Sequence, residues 1–284
     1  MLKPYLLLMC CLQSVSRNYF CSFPCSTEHT ACNGQKPCIL SYACGHNGKV
    51  LPLGNKDKEW VLYLHNTLRT RIALGQDTRG GNSQASNMNT ISYDEELEFV
   101  AQCWANACRG TGVIHDTCRT TKKFSNVGQN AYASKTAYNL DLNNREFLTE
   151  AIKSWYEDIN MSNTDLIDSY NDHESKYFTQ LMWAETTHVG CGRTAFSPRS
   201  NYYSLYIYCN YGTGGNIEGD PVYKRGTPCS ECNNSSCNED YKGLCGEVKV
   251  SEGAWIVPFA VSFSARLKVS LWKTTISSIL LAFM

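Results

Sequence analysis

Sixteen cysteines in a chain of 284 residues constrain its fold more than any other feature of the sequence. Cys10 and Cys11 lie in segment 1–16, where Lys3 precedes an apolar run and small residues follow it. That order is typical of a secretory signal peptide, and the run is too short to span a bilayer. We therefore predict cleavage near Ser16; the alternative is a buried N-terminal helix.

Such a cleavage would leave fourteen cysteines. An even number in an exported chain predicts disulfides, here up to seven. A metal site would instead require paired Cys-x-x-Cys motifs or clusters of cysteine and histidine. The only Cys-x-x-Cys runs from Cys229 to Cys232, and no histidine lies near it in the sequence. The cysteines therefore predict a disulfide framework and a secreted, extracellular protein.

The charge balance argues against one class of partner. Lys plus Arg and Asp plus Glu each number 26, so the formal net charge is zero. Because the chain has no basic stripe, we expect no nucleic-acid partner.

Changes of composition along the chain predict five segments. They are the signal peptide (1–16), a disulfide-pinned coil (17–54), a main domain (55–215), a cystine-rich minidomain or hinge (216–248) and an apolar tail (249–284). Charged residues interrupt the tail, and its last uncharged run is too short for a transmembrane helix. We expect a loosely ordered extension rather than a GPI-type signal, and hence no membrane anchor.

Hydrophobic periodicity predicts three helices in the main domain. The first begins near Asp57 and ends at Gly75, with an apolar face of Trp60, Leu64, Leu68 and Ile72. The second follows a capping-box sequence in which Ser92 would cap the amide of Glu95. Its apolar face is Leu97, Val100, Ala101, Trp104 and Ala107. The third spans Arg145 to Asn160.

A β-hairpin is predicted after the third helix. Residues 202–209 are rich in aromatics, and turn-forming residues separate them from residues 188–196. Helices combined with a short antiparallel sheet predict an α+β domain. Three Asn-x-Ser sequons, headed by Asn160, Asn233 and Asn234, predict N-glycosylation on exposed loops.

Four motifs occur in a fixed order along the main domain. They are HDTC (115–118), VGQNAYAS (127–134), YFTQLMWAETTHVGCG (177–192) and YIYCNYG (206–212). With these motifs, over residues 21–215, the chain resembles the CAP superfamily of cysteine-rich secretory proteins, antigen 5 and pathogenesis-related class 1 proteins. The further motifs HTAC, GQDTRGGN and VAQCWANAC make it most similar to arthropod venom allergen 5 proteins.

The resemblance implies a fold and a disulfide pattern. The fold is an α-β-α sandwich with a three-stranded antiparallel sheet, followed by a small cystine-rich hinge. The implied pairs are Cys21–Cys32, Cys25–Cys118, Cys44–Cys108 and Cys191–Cys209, with Cys229–Cys237 and Cys232–Cys245 in the hinge. Cys38 and Cys103 are left over and could pair with each other.

Many CAP proteins hold a divalent metal with two histidines and two acids in a central cleft. Matched motif by motif, these positions fall on His115, Gln129, Asp158 and Tyr177. A tyrosine hydroxyl titrates near pH 10 and is a poor ligand at neutral pH, and a glutamine carbonyl carries no charge. His173 could replace a ligand, but a loop histidine beside two acids is more often solvated. We expect no cofactor beyond weak binding of a divalent metal such as zinc or magnesium by His115 and Asp158.

The resemblance favours a non-enzymatic binding protein of the venom or saliva type. Its ligand would be a small apolar molecule (fatty acid, eicosanoid or sterol), or else a host protein. The resemblance implies a cleft for sterols and a channel between two helices for fatty acids or eicosanoids. The apolar residues of the first two helices could line such a channel, but the sequence favours the alternative, that they are plain core. The alternative function is a metal-assisted or serine-type protease or esterase that uses His115. No Gly-x-Ser-x-Gly motif supplies a nucleophile for that reaction. We expect a monomer.

Overall fold

Three long strands form the centre of the sheet. The computed structural model describes residues 19–32, 38–109, 112–137, 141–171, 174–197, 202–233 and 235–249. Their strands are β1 (Lys49–Val50), β2 (Ser92–Tyr93), β3 (Val127–Ala137), β4 (His188–Phe196) and β5 (Tyr202–Gly212). The order is β1-β4-β5-β3 with antiparallel neighbours, and β2 pairs parallel to β4. The predicted hairpin and three-stranded antiparallel sheet are confirmed, and two short strands extend the sheet.

Five α-helices surround this sheet in the described part of the chain. They are α1 (Asn55–Ala73), α2 (Glu95–Ala105), α3 (Glu146–Glu157), α4 (Thr164–Asp168) and α5 (Lys176–Met182). Short 3₁₀ turns occur at Phe20–Ser22, Ser26–Glu28, Thr30–Cys32, Tyr42–Cys44, Arg79–Gly81 and Asp158–Met161. The three predicted helices are present, the third ending in a 3₁₀ turn, whereas α4 and α5 were not predicted. No described helix has both the length and the apolar character needed to cross a membrane.

The predicted cap of α2 is wrong by two residues. Asp94 is the N-cap, and its carboxylate accepts hydrogen bonds from the backbone N–H groups of Glu96 (3.0 Å) and Leu97 (2.9 Å). Ser92 is held in β2, and its hydroxyl accepts from the N–H of Lys249. The pairing of β2 with β4 therefore takes Ser92 away from the helix, and a carboxylate next to the positive helix end replaces it.

Alternate residues of the long strands face opposite helical layers. On one face Val189, Cys191, Leu205, Ile207, Cys209 and Tyr211 enter a large core cluster with α1, α3 and α5. On the other face Tyr206 and Tyr208 pack with Ala101 and Ala105 of α2. This alternation with period two produces the α-β-α sandwich.

Helix α2 lies unusually close to the sheet. A Cβ atom on Gly190 would collide with the backbone at Glu98, and one on Gly192 would collide with the backbone at Gln102. The strand therefore needs glycine at both positions, because any side chain would push α2 away from β4.

Seven disulfides join the described cysteines. They are Cys21–Cys32, Cys25–Cys118, Cys38–Cys103, Cys44–Cys108, Cys191–Cys209, Cys229–Cys237 and Cys232–Cys245, the pairs named in the sequence analysis. The cystine-rich segment is not a separate minidomain, because Val222, Tyr223 and Leu244 are buried in the large core cluster. The predicted signal peptide lies outside the described residues, and so does the apolar tail beyond Lys249, for which we expected a loosely ordered extension.

The long motif beginning at Tyr177 is folded around one buried cation. Arg69 of α1 is fully buried, and its guanidinium donates hydrogen bonds to five main-chain carbonyl oxygens. These belong to Asn89, Leu181, Trp183, Ala184 and Thr186, at distances of 2.9 to 3.3 Å. Burial lowers the pKa of Arg69 to about 9, so it remains charged at neutral pH. Four of the five carbonyls lie at or beyond the last turn of α5, where a cation complements the helix dipole.

Gly192→Ala tests the close approach of α2 to the sheet. We expect the free energy of unfolding in urea to fall by about 1–3 kcal/mol, because the new methyl group overlaps the α2 backbone. Gly112→Ala is the matched control, since no atom lies within 4 Å of the position of its Cβ. It should change the unfolding free energy by less than about 0.5 kcal/mol. Equal stability of the two variants would contradict this packing.

Candidate functional site

Four separate elements bring the predicted cleft residues to one place. His115 lies in the loop after α2, Gln129 on β3, Asp158 in the 3₁₀ turn after α3, and Tyr177 in the first turn of α5. The sheet sets the distance between Gln129 and the α2 layer. The packing of α3 against α5 sets the positions of Asp158 and Tyr177. The structure therefore brings together residues that are up to 62 positions apart in the chain.

Gln129 determines which nitrogen of His115 carries the proton. Its amide nitrogen lies 3.1 Å from Asp116 Oδ1 and 2.9 Å from Asn210 Oδ1, and it donates to both oxygens. Its Oε1 then faces His115 Nδ1 at 2.7 Å and accepts a hydrogen bond from it. Because Nδ1 is the protonated nitrogen, His115 Nε2 carries the free lone pair.

His115 is neutral at physiological pH. Burial is the largest cause that lowers its pKa below the ordinary value, and the positive charges of Arg119 and Lys176 lower it further. The hydrogen bond to Gln129 and the charge of Asp116 offset part of this effect. The imidazole is therefore a lone-pair donor rather than a cation at pH 7.

Asp158 and Tyr177 form the other half of the cleft. Burial raises the pKa of Asp158 to about 6, against the opposing influence of the Tyr177 backbone N–H and of Lys176. Burial and the nearby Asp158 charge raise the pKa of Tyr177, so its hydroxyl keeps its proton. The Tyr177 and His115 rings are tilted with centroids 6.2 Å apart.

The cleft therefore lacks a complete set of metal ligands. Zinc sites normally use three or four nitrogen, sulfur or carboxylate ligands from the protein, and here His115 Nε2 and the Asp158 carboxylate are the two available. Over the described ranges, three ligand atoms of His, Cys, Asp or Glu gather only at Cys229, Cys232 and Cys245, whose sulfurs are in disulfides. The residues do not fit a four-ligand metal centre. His173 lies outside the described residues.

Several residues of the site were not predicted from the sequence. Asp116, Arg119, Asn210 and Lys176 surround the four cleft positions and orient or polarise them. Asp116 directly follows His115 in the HDTC motif, which was the available signal. Asn210 lies in the YIYCNYG motif, but its contact with Gln129 depends on the pairing of β3 with β5, which the motif does not indicate.

The apolar residues of the first two helices are core, which is the interpretation that the sequence favoured over a channel. Leu64 lies in the large core cluster, with Trp60 and Leu68 packed against it. Val100 packs with Phe20 and Ala31, and Leu97 packs with Phe124 and Val127. Because α1 and α2 cover opposite faces of the sheet, their apolar residues fill separate parts of the core and line no common channel.

The predicted glycosylation sites lie on the surface where they are described. Asn160 is exposed in the 3₁₀ turn after α3 and donates hydrogen bonds to Glu157, and Asn233 is exposed in the cystine-rich segment. Asn234 lies outside the described residues. Glycosylation at all three sites stays a prediction.

Comparison with known proteins places these features in one family. The model of the CAP family, described as the cysteine-rich secretory protein family, matches residues 62–211. Venom allergen 5.01 of Dolichovespula maculata is 34% identical over 78% of this chain and 96% of its own length. Venom allergen 5 of Tityus serrulatus is 33% identical over 78% of this chain, which spans about half (53%) of that longer protein.

Solved structures agree with this relationship. The crystal structure of NaASP2 with Zn²⁺ has a TM-score of 0.56 and 27% identity, covering 68% of this chain and 97% of that one. The structure of BmVAL-1 has a TM-score of 0.58 and 25% identity, and the match covers 69% of this chain and 96% of BmVAL-1. The α-β-α sandwich, the disulfide framework and these matches together show that the chain belongs to the CAP family and is of the venom allergen 5 type.

Proposed function

We propose that the chain is a secreted binding protein without a catalytic centre. The observation that carries this proposal is the environment of His115. Its Nδ1 donates to a neutral amide, and the ring beside it is a protonated tyrosine. A hydrolytic histidine needs a nucleophile within hydrogen-bond reach and a carboxylate that stabilises the imidazolium as it forms.

The runner-up function is a protease or esterase that uses His115. The neutral imidazole with a free Nε2 is the feature in its favour, because a general base must be unprotonated. The neighbours of His115 argue against this function. Within the described chain, its hydrogen-bond and ring contacts are with Gln129 and Tyr177. Gln129 separates the imidazole from the Asp116 carboxylate, so the acid cannot accept the Nδ1 proton directly.

Secretion is supported by the seven disulfides, which persist in oxidising compartments. The proposed ligand is a small apolar molecule of the fatty acid, eicosanoid or sterol class, with a host protein as the other candidate target. The matched relatives are venom allergens, which is the basis for proposing a role in venom or saliva.

Native mass spectrometry tests the binding function. Purified protein is exposed to a lipid extract, desalted and compared with a sample of the His115→Ala variant treated in the same way. We expect bound apolar molecules on both proteins, because His115 is not proposed to hold the ligand. Repeatedly empty protein, together with ester hydrolysis that His115→Ala abolishes, would favour the enzyme.

Zinc titration by calorimetry tests the incomplete ligand set. NaASP2 was crystallised with Zn²⁺, whereas we propose that this chain binds zinc more weakly than micromolar. Tyr177→His should strengthen zinc binding by about tenfold or more, since it adds an imidazole beside His115 and Asp158. Tyr177→Phe is the matched control and should leave zinc binding unchanged. Micromolar or tighter binding by the natural chain, lost in His115→Ala, would contradict the proposal.

A further inference from the structure

A second concavity adjoins the cleft tetrad. It has a volume of about 930 Å³ and is bounded by the N-terminal coil, by α2 with the turn that follows it, and by residues 115–117. Small-molecule pockets usually have volumes of about 300–1,000 Å³. Of the four tetrad positions, only His115 contributes to its lining, so it is a distinct site that shares one wall with the cleft.

The wall beside α2 is apolar and held in place. Trp104 is half-buried, and its indole N–H donates to the Ile114 carbonyl at 2.7 Å. Its ring and the Tyr208 ring are arranged edge to face, with centroids 6.5 Å apart. Ile39, half exposed at 50%, and the Cys38–Cys103 disulfide line the same space. A fixed aromatic ring and an exposed aliphatic side chain are what an apolar ligand body would contact.

One cation of this cavity is available for an anion. The guanidinium of Arg109 lies over the Trp104 ring at 5.9 Å from its centroid. Among the ion pairs of the described residues, none involves Arg109. A guanidinium presents a planar set of donors that matches a carboxylate.

Neither of the two acidic residues that line the cavity forms an ion pair with Arg109. Asp116 is already neutralised by Arg119 and accepts further hydrogen bonds from Gln129 and Thr30. Glu28 on the coil side of the cavity and Arg109 beside α2 are both exposed, so solvent and salt screen both charges.

We propose that this cavity binds a small amphipathic carboxylate, with its apolar body against Trp104 and Ile39 and its carboxylate on Arg109. The inference rests on the proposed binding function. It adds where the ligand binds, which residue holds its carboxylate, and that the ligand is negatively charged.

Calorimetry with dodecanoate and its neutral analogue dodecanamide tests this assignment. The natural chain should bind dodecanoate more tightly than dodecanamide. Arg109→Gln should weaken dodecanoate binding by about tenfold or more and leave dodecanamide binding unchanged, because only the carboxylate uses the guanidinium. Arg145→Gln is the matched control: its guanidinium lies at the same 5.9 Å over Trp60, and Arg145 does not line the cavity.

The outcomes separate the two proposals. A loss of dodecanoate affinity that is confined to Arg109→Gln supports the proposed site. If dodecanoate binds the natural chain and both variants equally, the site is wrong while the binding function stands. If the natural chain binds neither probe, the site is also wrong, and the native mass spectrometry experiment decides the binding function on its own.

Discussion

The guanidinium of Arg69 lies where helix α1, the end of α5 and the start of β4 meet. Five carbonyl oxygens from residues 89 to 186 converge on it, and none of its described hydrogen bonds goes to a carboxylate. A buried cation without these partners would cost several kcal/mol. The carbonyls of Trp183 and Ala184 accept further hydrogen bonds from Thr186 and Asn89, so the carbonyls of Asn89, Leu181 and Thr186 depend most on the guanidinium. The guanidinium thus fixes the path of the chain between Leu181 and Thr186 against α1.

The cleft depends on this arrangement. Tyr177 lies in the first turn of the same short helix whose last turn binds Arg69, and Gln180 of that helix accepts a hydrogen bond from the Gly215 N–H beyond β5. On the other face of the sheet, Gly190 and Gly192 let α2 approach β4, and the loop after α2 carries His115. The positions of the four cleft residues thus follow from core packing, and their chemical identity can change without loss of the fold. Gln129 and Tyr177 are such changes relative to the metal-binding pattern, and the Arg69 arrangement does not involve them.

Local sequence patterns predicted the elements that depend on local interactions. Apolar residues at every fourth position from Trp60 to Ile72 predicted α1. The aromatic content of residues 202–209 and the turn-forming residues before them predicted the hairpin. Such patterns could not predict contacts between residues that are distant in the sequence. Nothing near Arg69 in the sequence indicates carbonyl partners about 115 residues away, and Ser92 resembled a helix cap because its pairing with β4 was unknown. The first two helices cover opposite faces of the sheet, and hydrophobic periodicity cannot predict which face a helix covers.

The unfolding free energy of Arg69→Lys tests the central claim most directly. An ammonium group cannot reproduce five hydrogen bonds from one planar group, so we predict that this variant loses about 3 kcal/mol or more in urea unfolding, with the disulfides intact. His115→Gln, measured in parallel, should lose about 1 kcal/mol or less, because the cleft is built on the core and does not support it. Equal stability of Arg69→Lys and the natural chain, or a larger loss in His115→Gln, would contradict the account.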